Sequence, residues 1–426
     1  MRLLSKTYWH GTQIRFRDPV EGVTGIAVTL DAADKTRVRG TFWRPDNNPN
    51  PKVVVIAAHP RGDFSEHHAF PGFLKAGYGC MGANMRSLNN DSDCLHEKLV
   101  LDIAAYMKWL KENGAEKIIL LGNSGGGSLF SFYQSQAVAK PEDRIKFTPG
   151  GRPTGLEKAE LIPGDAHIYM AAHTGEGLII NEVIDPSVAD EHDPLKTNPE
   201  FDMYDPANGF KPAPEWVEYS PEFVKKFRDG QLARVQRLDS IAREWIKEAE
   251  DAARIHGSEY FEDLPADVQR RVMQQQYFEP VMVIYRTMAN LHYADKTLDP
   301  SPRGYGSIMS PRPDLMNFQR FGFARVMTPH GWLSTWSGLS SNASILHSGP
   351  SITEPAVVIH AGKDLEVFPA THSQVTFNTI QSEDKEYWDI PEALHYFEPD
   401  EGDNGNETLN RMLDRLVAWT RERFPI

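Results

Sequence analysis

The stretch that decides the fold is KIILLGNSGGGS, residues 117–128. Residues 117–121 are a short apolar run that reads as a buried strand, and a helix is expected to begin near Gly125. Between them, Gly122-Asn123-Ser124-Gly125-Gly126 matches the pattern G-x-S-x-G. A strand-to-helix turn this sharp holds its central residue in strained backbone. Side chains two positions to either side would clash, which is why glycines stand there. The strain lifts the Ser124 hydroxyl above the sheet edge, and the helix N-terminus behind it supplies N–H groups and a positive dipole end. The pattern alone is common; the strand–turn–helix setting makes Ser124 a candidate nucleophile. The competing reading is a phosphate-binding glycine turn. However, the segment lacks the Lys before Ser128 that a P-loop needs, and Ser at 124 breaks G-x-G-x-x-G.

Moving outward, strands and helices alternate. Residues 25–31 and 37–43 read as a β-hairpin. Residues 53–58 (VVVIAA) are a continuous apolar run, as in a strand buried on both faces. A helix around 66–76 should end at Gly77, followed by a strand at 78–84. Leu95, Leu99, Ile103, Met107 and Leu110 recur at helical spacing, so a helix is expected over 92–113, capped by Asp91 or Asp93 and ended by Gly114. A further strand lies at 166–172. Repeated βα units of this kind predict a parallel sheet with helices on both faces. The rhythm then breaks. Residues 176–220 are rich in Pro, Asp and Asn with little periodicity. One long amphipathic helix is expected at 221–256, with shorter ones near 265–275 and 279–291. The βα pattern returns with a strand at 356–360, a helix near 370–381, a strand at 386–390 and a closing helix at 405–423. The organisation expected is a core of 1–175 plus 346–426, interrupted by a helical insertion of 176–345.

A serine nucleophile needs a base, and the base needs an orienting acid. In a doubly wound sheet these come from loops at the C-terminal ends of strands. Asp364 stands just past the strand 356–360, with Glu366 as the rival acid. The bland role for Asp364 is a turn or helix cap. His395 follows the last strand, in Leu394-His395-Tyr396-Phe397. With 15 histidines in the chain a lone one means little; the order Ser124, Asp364, His395 singles this one out. An oxyanion hole takes two backbone N–H groups. Gly125 supplies one. The other should follow the strand 53–58, in His59-Pro60-Arg61-Gly62, where Pro60 has no N–H, so Arg61 is the better donor and Gly62 the second choice. His59, Asp63, His67 and His68 match no zinc spacing, so neither metal nor cofactor is expected.

With these residues in view the chain resembles the α/β-hydrolase superfamily. The resemblance rests on HPRG after the third strand, GNSGG at the turn, AGKDLEVFP after the penultimate strand and LHYF after the last. It implies an α/β-hydrolase fold, with a mostly parallel eight-stranded sheet, helices on both faces and a large cap insertion after the sixth strand. It also implies a Ser-His-Asp triad and an acyl-enzyme. Pro60 departs from the glycine that usually follows the histidine of the oxyanion loop.

Composition narrows the class. Lys+Arg is 45 and Asp+Glu 59, a net charge of −14, which disfavours nucleic acid and anionic membranes as partners. Two cysteines, Cys80 and Cys94, cannot build a disulfide framework, so a reducing, cytoplasmic setting is expected. The N-terminal residues show no signal-peptide pattern, and no apolar stretch suits a membrane span. A homo-oligomer is left open. The function expected is hydrolysis of an ester or lactone of a bulky, largely apolar or aromatic small molecule. The same triad acting on an amide is the runner-up. A non-catalytic binder is disfavoured because all three triad candidates are present. Trp332 and Trp336, four apart where the insertion rejoins the core, are the expected substrate-binding residues.

Overall fold

The computed structural model describes residues 20–426, apart from 89, 91 and 401–405. Asp91 and residue 405, where the closing helix was expected to start, therefore lie outside the described residues, as does the N-terminal segment read for a leader. Two antiparallel strands come first, Val23–Asp31 (β1) and Arg37–Pro45 (β2). Then follow Val53–His59 (β3), a short helix Phe70–Lys75 (α1) and Gly79–Asn84 (β4). Next are the helix His96–Glu112 (α2), the strand Lys117–Asn123 (β5), the helix Gly125–Val138 (α3) and the strand Ala166–Met170 (β6). The sheet is completed much later by Ala356–Ala361 and Lys385–Ile390, and the helix Glu407–Arg423 closes the chain.

These eight strands form one sheet. β2 runs antiparallel to both β1 and β4, and every pairing beyond β4 is parallel. Chain order and sheet order differ at one place, where β4 lies between β2 and β3. The four strands β3, β4, β6 and Ala356–Ala361 are buried along their whole length, which is why they read as unbroken apolar or small-residue runs. Period-two alternation sorts β3 between two layers. Val54, Ile56 and Ala58 pack with Leu99, Ile103 and Met107 of α2 and with Leu129 and Phe132 of α3. Val53, Val55 and Ala57 pack on the opposite face with Phe70 and Phe73 of α1 and Leu413 and Leu416 of the closing helix. The expected α/β-hydrolase fold is therefore what the chain adopts.

Between β6 and Ala356 the chain adds no strand to this sheet. It forms a helix Glu176–Val183 (α4), the 36-residue helix Pro221–His256 (α5) and a helix Ala266–Tyr277 (α6), with long irregular segments between. Ile179, Ile180 and Val183 pack with Val235, Leu238 and Ala242 of α5 and with Trp332 and Trp336, in an apolar cluster separate from those of the sheet. Two strand segments, Met282–Val283 (β7) and Val326–Met327 (β8), pair antiparallel.

Several expectations are corrected. No helix occupies 279–291; β7 and a single tight turn at Leu291–Tyr293 stand there, and the apolar run VMVIY alternates between exposed and buried as in a strand. Residues 176–183 are helical, although the Pro- and Asp-rich sequence that follows masks their short periodicity. α1 starts four residues late and α2 begins at His96. The residue before α2 is Leu95, without a side-chain cap; Asp93 does not serve as one. Gly114, at φ 95°, does end that helix region as expected. Among the described residues no helix is long and apolar enough to cross a membrane.

Burial makes the fold sensitive to acid. Desolvation holds His67 and His167 at a pKa of about 3, far below the usual 6.5. The unfolded chain protonates both near pH 6.5 while the folded chain does not. Stability is therefore lost as pH falls below 6.5, by up to about 1.4 kcal/mol per pH unit for each such histidine. Urea unfolding at about pH 7.5, 6 and 5 should show a steady decline, in a window above the ordinary carboxylate range. A flat profile across that interval would contradict this account.

Candidate active site

Ser124 sits where the sequence placed it, between β5 and α3, at φ 53° and ψ −123°. Backbone of this kind at a non-glycine residue costs about 1–3 kcal/mol and persists only where its surroundings enforce it. They do. A Cβ on Gly126 would stand 2.2 Å from the carbonyl oxygen of Ala58, and one on Gly122 would stand 2.4 Å from the Cα of Gly127. The turn is thus wedged against the end of β3. Asn123, fully buried, ties it laterally: its Nδ2 donates to the Met170 carbonyl at 2.8 Å, and its Oδ1 meets His67 Nε2 at 3.2 Å.

Asp364 and His395 meet at the C-terminal ends of the last two strands. His395 Nδ1 and Asp364 Oδ2 are 2.6 Å apart, and both side chains are buried. Asp364 Oδ1 accepts the backbone N–H groups of Glu366 at 2.8 Å and Val367 at 3.1 Å. Burial pushes the Asp364 carboxyl up, but His395 and these two N–H groups outweigh it and hold it below its usual value. Glu366, the rival acid, turns elsewhere. Its Oε1 accepts from the Tyr293 hydroxyl at 2.5 Å, and burial raises its pKa well above the carboxylate range.

The neighbour of His395 was not expected here. The Tyr396 hydroxyl faces the Ser124 side chain closely enough to feel it electrostatically, and the Tyr396 ring stands edge-on to His395, 4.6 Å between centroids. The loop that pairs His395 with Asp364 therefore also carries a phenol that faces the serine. The signal in the sequence was only adjacency, in His395-Tyr396, and an aromatic beside a loop histidine reads first as an anchor.

The loop after β3 differs from expectation. The Arg61 N–H donates to His59 Nδ1 at 3.2 Å, and the Gly62 N–H does so at 2.9 Å. Both candidate oxyanion donors of this loop are engaged by one imidazole, which caps the turn. With Nδ1 accepting, His59 carries its proton on Nε2. Burial lowers its pKa to about 3. It is the Arg61 side chain that faces inward. Its Nη2 pairs with Glu176 Oε2 at 2.9 Å, and its guanidinium stacks 4.5 Å from the centre of the Trp336 ring. The Gly125 N–H is the first of α3, with no carbonyl one turn back to accept it.

The two tryptophans part company. The segment Trp332–Trp336 is a π-helical turn. Trp332 is sealed among the insertion's apolar residues and donates from Nε1 to Asp239 Oδ1 at 2.7 Å; it is a structural residue. Trp336, equally buried, reaches Arg61. Among the described residues no group of three or more His, Cys, Asp or Glu could hold a metal ion.

No family model matches the chain, and no curated protein matches it in sequence. Among solved structures it is similar to the esterase domain of a Rhodothermus marinus protein, with TM-score 0.42, 10% identity, and 94% of this chain and 98% of that one covered. It is also similar to an esterase of Pyrococcus furiosus, with TM-score 0.42, 13% identity and 94% and 91% covered. An alpha/beta hydrolase of Penicillium sp. gives TM-score 0.45, 12% identity and 95% and 99% covered. At such identities the likeness is one of fold, and no activity is carried over from it.

The wedge against β3 makes a direct prediction. Gly126→Ala should lower stability by about 1–3 kcal/mol through overpacking. Gly257→Ala should leave it unchanged or slightly raised, since the added methyl meets only Ala253 O at 3.5 Å and the backbone φ is −83°. Chemical denaturation of both variants checks this. Equal effects would show that the turn has slack.

Proposed function

We propose that the protein is a serine hydrolase that cleaves a carboxylic ester or lactone through an acyl-enzyme. The observation that carries this is the buried 2.6 Å Asp364–His395 pair, delivered by the same loop whose Tyr396 faces a serine held in strained backbone. In this reading Ser124 Oγ attacks the substrate carbonyl carbon as His395 takes its proton, with Asp364 orienting the ring and stabilising the imidazolium. The carbonyl oxygen becomes an oxyanion, held by the Gly125 N–H. The Tyr396 hydroxyl supplies the second donor, since the Arg61 N–H is committed to His59. The carbon–oxygen bond to the leaving group then breaks, and the departing alcohol takes the proton from His395. Water repeats the sequence on the acyl-enzyme, releasing the acid and Ser124.

The bulky apolar substrate expected from the tryptophans finds little support. Trp332 is buried in the insertion and Trp336 is covered by a guanidinium. The chain between β6 and Ala356 is read here as a cap over the site, supported by Glu176, Tyr293 and Trp336 all reaching the loops that carry the triad or its surroundings.

Two sets of variants test this reading. Ser124→Ala should leave less than about a thousandth of kcat on a chromogenic ester and abolish labelling by a fluorophosphonate. Asp364→Asn should cost about a thousandfold or more, and Glu366→Gln less than about tenfold; the reverse order would transfer the acid's role to Glu366. In the second set, Tyr396→Phe should lower kcat by about ten- to a thousandfold with little change in KM, because the lost donor acts on the transition state. Unchanged kcat would remove Tyr396 from the mechanism.

A further inference from the structure

The Arg61–Glu176 ion pair lies against the turn that carries Ser124. A Cβ on Gly125 would stand 2.6 Å from Glu176 Oε1 and 3.1 Å from His59 Nε2. The pair is almost fully enclosed, with Glu176 at 1% side-chain exposure. Burying two charges is costly unless the site uses them. Three more buried side chains stand around it. His173 Nε2 is 3.9 Å from Glu176 Oε2, and Trp336 stacks on Arg61. His96, beside Trp336 through its 3.1 Å contact with Thr335, senses both charges of the pair.

Each of these residues offers an atom with no hydrogen-bond partner among the described residues: Glu176 Oε1, His96 Nε2, His173 Nδ1 and Trp336 Nε1. Buried polar atoms are nearly always paired, so four such atoms on residues gathered round one ion pair call for partners that the chain itself does not supply. The polarity of three of them can be assigned. The Thr335 hydroxyl donates to the Cys94 carbonyl at 2.6 Å, so it accepts from His96 Nδ1–H, and His96 Nε2 is left as an acceptor. Glu176 Oε1 is an acceptor: burial pushes its carboxyl up, but the Arg61 guanidinium beside it outweighs this and holds it below its usual value. Trp336 Nε1–H is a donor. The net charge is nil, since Arg61 balances Glu176 and burial keeps His96, at about 4, and His173 neutral. A hydrocarbon would leave all four atoms unpaired, and a charged group would find no net counter-charge. A hydroxyl both donates and accepts.

We infer that Glu176, His96, His173 and Trp336 form a neutral polar subsite beside Ser124 that takes an uncharged, hydroxylated part of the substrate. This rests on the serine-hydrolase reading above and narrows its substrate class to esters with a hydroxyl near the scissile carbonyl, on the acyl or the alcohol arm.

The test compares two pairs of esters with the full-length enzyme: p-nitrophenyl butanoate against p-nitrophenyl 3-hydroxybutanoate, and propyl butanoate against glyceryl monobutanoate. Wild-type kcat/KM should favour the hydroxylated member of at least one pair by about tenfold or more, the range open to a site whose buried polar atoms would otherwise stay unpaired. Glu176→Gln and Trp336→Phe, each with a melting profile like wild type, should bring that ratio to within about threefold of one. Should neither variant fold, the wild-type ratios decide. Ratios of one or less in both pairs, with Ser124 labelled by a fluorophosphonate, would overturn the subsite and leave the hydrolase reading intact. Should Ser124 be labelled without turnover, the same pairs are compared as competitors of labelling, and the same preference is expected. Neither turnover nor labelling would overturn both.

Discussion

At the end of β5 the backbone passes through a left-handed serine, and it can do so only because nothing larger than hydrogen stands at 122 and 126. The carbonyl of Ala58 occupies the space a side chain at 126 would need. This contact joins the nucleophile candidate to β3, and through β3 to the loop of His59, Pro60 and Arg61. The position of that loop fixes Arg61, and Arg61 fixes Glu176 and Trp336. A steric constraint on one glycine is thereby transmitted to the polar surroundings of the site.

Those surroundings are unusual in being rich in imidazoles yet uncharged. Desolvation outweighs neighbouring charges for His59, His96 and His173, so each acts as a hydrogen-bonding group of fixed polarity and none as a cation. His395 differs in having a carboxylate within hydrogen-bond reach. A general base needs such a partner to become positively charged while buried. Asp364 is what sets the surroundings of His395 apart from those of the other three.

Much of this was legible in the residues. The central strands announced themselves as apolar runs, the Ser124 turn through its glycines, and Asp364 and His395 through their places after strand ends. What the sequence concealed was of another kind. Glu176 opens a helix of eight residues, too short to show periodicity beside the Pro-rich stretch that follows it. Its meeting with Arg61, 115 positions away, depends on tertiary packing alone. The backbone donors of Arg61 and Gly62 looked available because sequence cannot tell which way an imidazole two residues back will turn. Trp332 and Trp336 share a spacing, yet one meets Asp239 on α5 and the other Arg61.

The hydrogen bond between Tyr293 and Glu366 links the excursion after β6 to the segment bearing Asp364. Glu366 also donates its own N–H to Asp364. Movement of residue 293 away from the sheet would strip a buried carboxyl of its phenol while the backbone N–H of the same residue still held Asp364. Opening the excursion at this point and keeping Asp364 in register are opposed demands. The packing of Tyr293 and the geometry of the Asp364–His395 pair are thus joined through residue 366, its side chain serving one and its backbone the other.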